Sequence, residues 1–114
     1  MLRLKIDTSG TRFRVAGTAR PRTDYKDKDR QAATLDGRPI WTVRLTAIET
    51  GRETSETIWV EVAGDEPRLT LDDLAQVRCL VFAPWVGRDG KIRRSFRADA
   101  IEASPNAKAS PHAA

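Results

Sequence analysis

Fifteen arginines against five lysines, with three tryptophans and one tyrosine, are the side chains here with most to offer a large anion. A guanidinium is a planar fork of donors that matches phosphate and stacks on flat rings. An exposed aromatic ring gives a base a face to stack on. The cations are clustered. Thr11 to Arg30 holds seven (Arg12, Arg14, Arg20, Arg22, Lys26, Lys28, Arg30) against three aspartates, and Gly87 to Arg97 holds five (Arg88, Lys91, Arg93, Arg94, Arg97) against Asp89. From Glu49 to Asp73 the sign reverses, with eight carboxylates against Arg52 and Arg68. Two basic regions separated by an acidic one imply a surface that follows a polyanion, nucleic acid before others. A solvated charged surface, and an arginine excess that reflects a GC-rich genome, are the plainer readings of the same counts.

Alternation selects among these groups. Arg12 and Arg14 alternate with Phe13 and Val15, and Arg93 and Arg97 fall on one face of the last strand. With Arg44 and the loop residues Arg20, Arg22, Lys26 and Lys28 they form the expected phosphate-contact set, although Asp24, Asp27 and Asp29 neutralise part of the loop. Trp59 lies between Ile58 and Val60, which take the apolar face, so it is expected outside beside Thr42 and Arg44. It either stacks on bases or packs under the long loop or against a second copy. Tyr25, between Asp24 and Lys26, is a second stacking candidate. Trp41, Phe13 and Phe96 share the register of core residues.

Other chemistries find little support. His112 is the one histidine, near the end of the chain, so no histidine-based catalysis or metal site can be assembled. No phosphate-binding glycine loop or activated-nucleophile motif occurs, and the reading is of a protein that is not an enzyme and has no cofactor. Cys79 alone excludes an internal disulfide; in the run Cys79–Ala83 it is expected to be a small buried hydrophobe. The opening Met-Leu-Arg-Leu-Lys-Ile-Asp carries charges where a signal peptide needs apolar residues, and no run has the length of a membrane span. A cytoplasmic protein with no membrane partner is expected.

The elements that must position these groups are strands. Leu2, Leu4 and Ile6 alternate with charges, Ser9-Gly10 bends the chain, and Thr11–Ala16 resumes as the second half of one strand that Gly17 ends. Thr18 to Arg38 is expected to be a long, mobile charged loop. Ile40–Glu49 and Thr57–Ala63 form a hairpin around Thr50-Gly51-Arg52-Glu53. Leu69–Val77 is expected to be a short helix, with Thr70 as N-cap and Asp72 and Asp73 in its first turn. Arg78–Val86, the turn Gly87–Gly90 and Lys91–Glu102 make the last hairpin, with Phe96, Ala98 and Ala100 facing in. Residues 1–103 therefore read as one domain and 104–114 as a disordered tail.

This order of elements is that of an OB-fold: an all-β, five-stranded Greek-key barrel with a short helix between strands three and four. An SH3-like barrel is the alternative. On the stretches Met1–Asp7, Thr18–Arg38, Gly37–Glu49 and Val77–Ile101 the chain resembles the small single-stranded-DNA-binding proteins of the filamentous-phage gene V type. That resemblance implies a plasmid or conjugative-element setting, and a homodimer in which the last hairpin, with Phe82 and Trp85, forms the interface. It implies sequence-tolerant binding of single-stranded DNA in replication or transfer, RNA not being excluded. A protein-interaction or regulatory OB module that binds no nucleic acid is the reading from a different class.

Overall fold

Alternation of β-branched and polar residues governs most of the chain, and every regular element among the described residues is a strand. The computed structural model describes residues 3–23, 29–52 and 54–105, Arg93 by its backbone alone. The strands are β1 (Leu4–Lys5), β2 (Thr11–Pro21), β3 (Ile40–Glu49), β4 (Ser55–Ala63), β5 (Leu74–Arg78), β6 (Val81–Val86), β7 (Ile92–Arg97) and β8 (Ala100–Ala103). They form one curled, barrel-like sheet in the order β1-β6-β7-β4-β3-β2-β5-β8. The β4–β7 pair is parallel and the others are antiparallel.

The spine is β2–β3–β4. Val15 pairs with Leu45 and Leu45 with Ile58, while Val43 pairs with Val60 one row away. Val15, Val43, Leu45 and Val60 are almost completely buried. Full burial of such a side chain contributes about 1.5–3 kcal/mol, so this inner face fixes the register of all three strands. Trp41 packs against the edge of the core, and its indole N–H donates to the Gly64 carbonyl at 2.9 Å.

The helix expected over Leu69–Val77 does not form. Asp72 has a φ of +69°, which a right-handed helix does not tolerate. The neighbouring backbone bonds β2 instead: Asp72 N–H donates to Val15 O and Val15 N–H to Asp73 O, both at 2.9 Å. The Asp73 N–H bonds the Thr70 carbonyl, a turn rather than a side-chain cap. Ala75 and Val77 are then buried and Gln76 and Arg78 exposed, a period of two that sheet pairing selects over helical spacing.

Eight strands stand where five were expected: the first is split into β1 and β2, β5 forms where the helix was expected, and the last arm is broken into β7 and β8. Cys79-Leu80 separates β5 from β6, and Ala98-Asp99 separates β7 from β8. The breaks face one another, with the Asp99 N–H donating to Arg78 O at 2.9 Å, so both arms bend along one line. Cys79 takes a φ of +54° there and is exposed, not buried. The second break shifts the alternation, and Ile101, not Ala100, enters the core.

The first strand also departs from its expected form. β1 pairs with β6 rather than running on into β2, and Leu4 is exposed while Ile6 packs against the core. β2 does not end at Gly17 but continues to Pro21 through two register shifts. Less of the Thr18–Arg38 connection is therefore loop, and among its described residues Thr23 bridges Gln31 and Ala33 bridges Pro39. The tail expectation for 104–114 falls outside the described residues beyond Pro105. Among the described residues no helix is long and apolar enough to cross a membrane.

Candidate nucleic-acid interface

The outer face of the sheet is set by the same registers that build the core. One cross-strand row runs Arg14, Thr46, Thr57; the next runs Gly17, Arg44, Trp59; the next runs Arg20, Thr42, Glu61, Arg97. Beyond them Ser95 pairs with Ala83 and Arg93 with Trp85.

In the middle row glycine matters for what it leaves open. A Cβ on Gly17 would stand 3.4 Å from both Cβ and Nε of Arg44. Without one, Arg44 lies across β2, donates from Nη2 to the Ala16 carbonyl at 2.9 Å, and holds its guanidinium 5.6 Å from the Trp59 ring centroid. Trp59 is nonetheless 51% exposed.

The next row carries a carboxylate among cations. Glu61, whose side chain is 17% exposed, has Oε2 2.9 Å from Arg22 Nη1 and Oε1 3.5 Å from Arg97 Nε. It lies in a cavity of about 330 Å³ whose walls include Trp59, Trp85, Arg22, Arg94, Arg97 and Thr42. Arg94 reaches Glu56, Nη1 to Oε1 at 3.0 Å. A second cavity of about 380 Å³ shares Glu61, Ala83 and Arg97 with the first and extends to Arg3, Arg38 and Asp99. Together they make a groove across β3, β4, β7 and β6, with aromatic walls at one end and arginines along it.

The structure therefore brings Arg22, Trp59, Trp85 and Arg97 to one cavity, with Arg44 against Trp59 and Arg20 exposed across from Thr42. Arg12 and Arg14 stand apart from it. Arg12 borders a different depression with Thr8, Leu74 and Gln76, and Arg14 is half-buried, its Nε without a hydrogen-bond partner. Tyr25, Lys26 and Lys28 lie outside the described residues, and Arg93 is placed by its backbone pairing alone. Phe82 is half-buried, its ring 5.2 Å from that of Phe96. At the end of the β6–β7 hairpin Trp85, Val86 and Ile92 are exposed.

Sequence reasoning overlooked Glu61, Arg94, Arg3 and Arg38 as groove residues. For Glu61 the signal was present: it alternates with Val60 and Val62, on the face of Trp59 and opposite Thr42 in the β3–β4 hairpin. Arg3 and Arg38 reach the groove through β1–β6 pairing and the bridged connection after β2, which have no local sequence signature.

Comparison of the chain with protein families, with curated proteins and with solved structures finds no match.

Proposed function

We propose that this chain binds single-stranded DNA along the groove, largely through contacts that are indifferent to sequence. The observation that carries the reading is the convergence of Trp59 and Trp85 with Arg22, Arg94 and Arg97 around one cavity on the outer face of the sheet. Stacking faces beside phosphate-binding cations are what sequence-tolerant single-strand binders need.

Topology supports the same reading. Taken as single bent strands, β1–β2, β5–β6 and β7–β8 reduce the sheet to five, and the first then pairs with β3 on one side and with the fourth strand on the other. The third and fifth strands run parallel. We read this as an OB-type barrel whose helix is replaced by a turn. In that fold the face of strands two and three and the loops after the first and fourth strands take oligonucleotides. Here those correspond to the face bearing Arg44 and Trp59, the connection bearing Arg22, and the hairpin end beside Trp85. The resemblance to gene V-type proteins, and a plasmid or mobile-element role, belong to this same proposal and rest on element order and residue type. So does a homodimer through the β6–β7 hairpin.

The test is a titration of the full chain with fluorescent oligo-dT, oligo-U and a duplex of the same length, read by anisotropy and tryptophan emission. Tight single-strand binding, quenched tryptophan and a log–log salt slope near −0.7 per phosphate contact are expected. Trp59→Ala is expected to weaken binding by about 1–3 kcal/mol with the fold intact. Absence of binding at low salt would remove the proposal and favour a protein-interaction module.

A further inference from the structure

Glu61 is the feature of the groove that general affinity for a polyanion does not explain. A carboxylate in a phosphate-binding groove repels the ligand and occupies cations that would otherwise meet it. Yet it is held on both sides, Oε2 by Arg22 and Oε1 by Arg97, in the cavity that Trp59 and Trp85 also line. An ionised carboxylate offers about four lone-pair sites, so each oxygen keeps capacity for a further donor.

We infer that Glu61 reads the edge of a base stacked in this cavity, and that the base it selects is guanine. The inference rests on the single-strand-binding proposal and adds one base-specific position to it. Two oxygens side by side call for two donors side by side. Guanine presents that pair on its Watson–Crick edge, N1–H beside the N2 amino group. Thymine and uracil offer one N–H flanked by carbonyl oxygens. Cytosine and adenine offer an amino group beside a ring nitrogen whose lone pair faces the carboxylate. Bases splayed from a single strand expose this edge, and aromatic side chains hold them by their faces. Arg22 and Arg97 hold the Glu61 carboxylate in place, and the adjoining cavity, with Arg3 and Arg38, carries the strand onward. The carboxylate thus exchanges some general affinity for discrimination at one nucleotide.

The experiment uses the full chain and oligo-dT in which one central residue is replaced by dG, deoxyinosine, dA or dC; a single dG avoids folded guanine structures. The dG oligonucleotide is expected to bind about tenfold or more tightly than its parent, as a bidentate base contact does. Deoxyinosine keeps N1–H and lacks the amino group, so it is expected to lose most of that gain. Glu61→Gln is expected to bring the dG-to-dT ratio close to unity while binding oligo-dT more tightly, because Arg22 and Arg97 are released to phosphate. Equal binding of dG, deoxyinosine and dT by the parent protein would overturn the inference and leave the general proposal standing. That comparison needs no variant to fold. Retention of the dG preference by Glu61→Gln would also overturn it, as would dGMP competing at oligonucleotide concentrations, which would place a free nucleotide in the cavity. Failure of every oligonucleotide to bind would be the failure of the proposed function itself.

Discussion

Arg44 lies close over Gly17, where an added Cβ would come to 3.4 Å from its Cβ and Nε. Its guanidinium spans from the Ala16 carbonyl to the Trp59 ring, and Arg44 pairs with Gly17 in the β2–β3 register. An exposed cation–π contact is worth about 0.5–1 kcal/mol. Arg44→Ala is therefore expected to weaken oligo-dT binding about two- to fivefold, through a less ordered Trp59 and a lost cation. A Gly17→Val variant, with Arg44 intact but displaced, should alter tryptophan emission in the free protein; unchanged emission would deny the coupling. A second residue-scale expectation concerns pH. The Thr34 hydroxyl above all, helped by the Arg38 guanidinium, holds the Asp36 carboxyl below its ordinary 3.8 against the opposing effect of desolvation. A depressed carboxyl stabilises its turn above the ordinary value and loses that contribution as pH falls through the folded value. The amides of Gly37 and Arg38 should thus shift only below the ordinary value, which proton NMR would check. At this scale the sequence was readable wherever one strand explained a residue: Val43, Leu45, Val60 and exposed Trp59 follow from alternation. Glu61 was legible as outward-facing but not as the partner of Arg22 and Arg97, because those contacts join β4 to a connection after β2 and to a parallel strand.

At the scale of elements, the bend of the last hairpin separates what local pattern can say from what it cannot. The run from Arg78 to Val86 is apolar on both faces, so alternation has no phase there and cannot reveal the break at Cys79-Leu80. The turn before β5 was hidden for the opposite reason, since Thr70, Asp72 and Asp73 look like the start of a helix. Pairing of Asp72 and Asp73 with Val15 decides the matter, and that contact is far away in sequence. Cys79 occupies the left-handed region, where a side chain costs about 1–2 kcal/mol and a β-branched one more. Cys79→Val should consequently lower stability by at least about 1 kcal/mol, whereas Cys79→Gly should be neutral or stabilising. Chemical denaturation of both variants gives the comparison. Equal destabilisation would mean that the thiol's contacts, not the backbone, matter at the bend.

For the molecule as a whole, charge and apolar surface lead to different expectations about association. A net charge of +4 understates the basic regions, yet among the described residues Arg22, Arg97, Arg94 and Arg38 all have carboxylate partners. A cation already held by a carboxylate has less condensed anion to release to a phosphate, so the salt slope should correspond to fewer contacts than the groove has arginines. Apolar surface is concentrated beside the groove: Val86 and Ile92 are two of the seven exposed large hydrophobic residues among the described ones, and they pair with each other at the end of one hairpin. The molecule is elongated, 48 × 28 × 21 Å, and a second copy seated on that end would bury this surface while adding a second groove. Linked grooves raise affinity for long strands more than for short ones. A double variant, Val86→Lys with Ile92→Lys, changes exposed positions and should leave thermal stability within about 0.5 kcal/mol of the parent. Sedimentation should show the parent gaining mass with concentration and the variant remaining a monomer. The variant should also lose affinity for long oligonucleotides while short ones bind as before. A parent that sediments as a monomer throughout, with the same length dependence as the variant, would leave the hairpin without a dimer role.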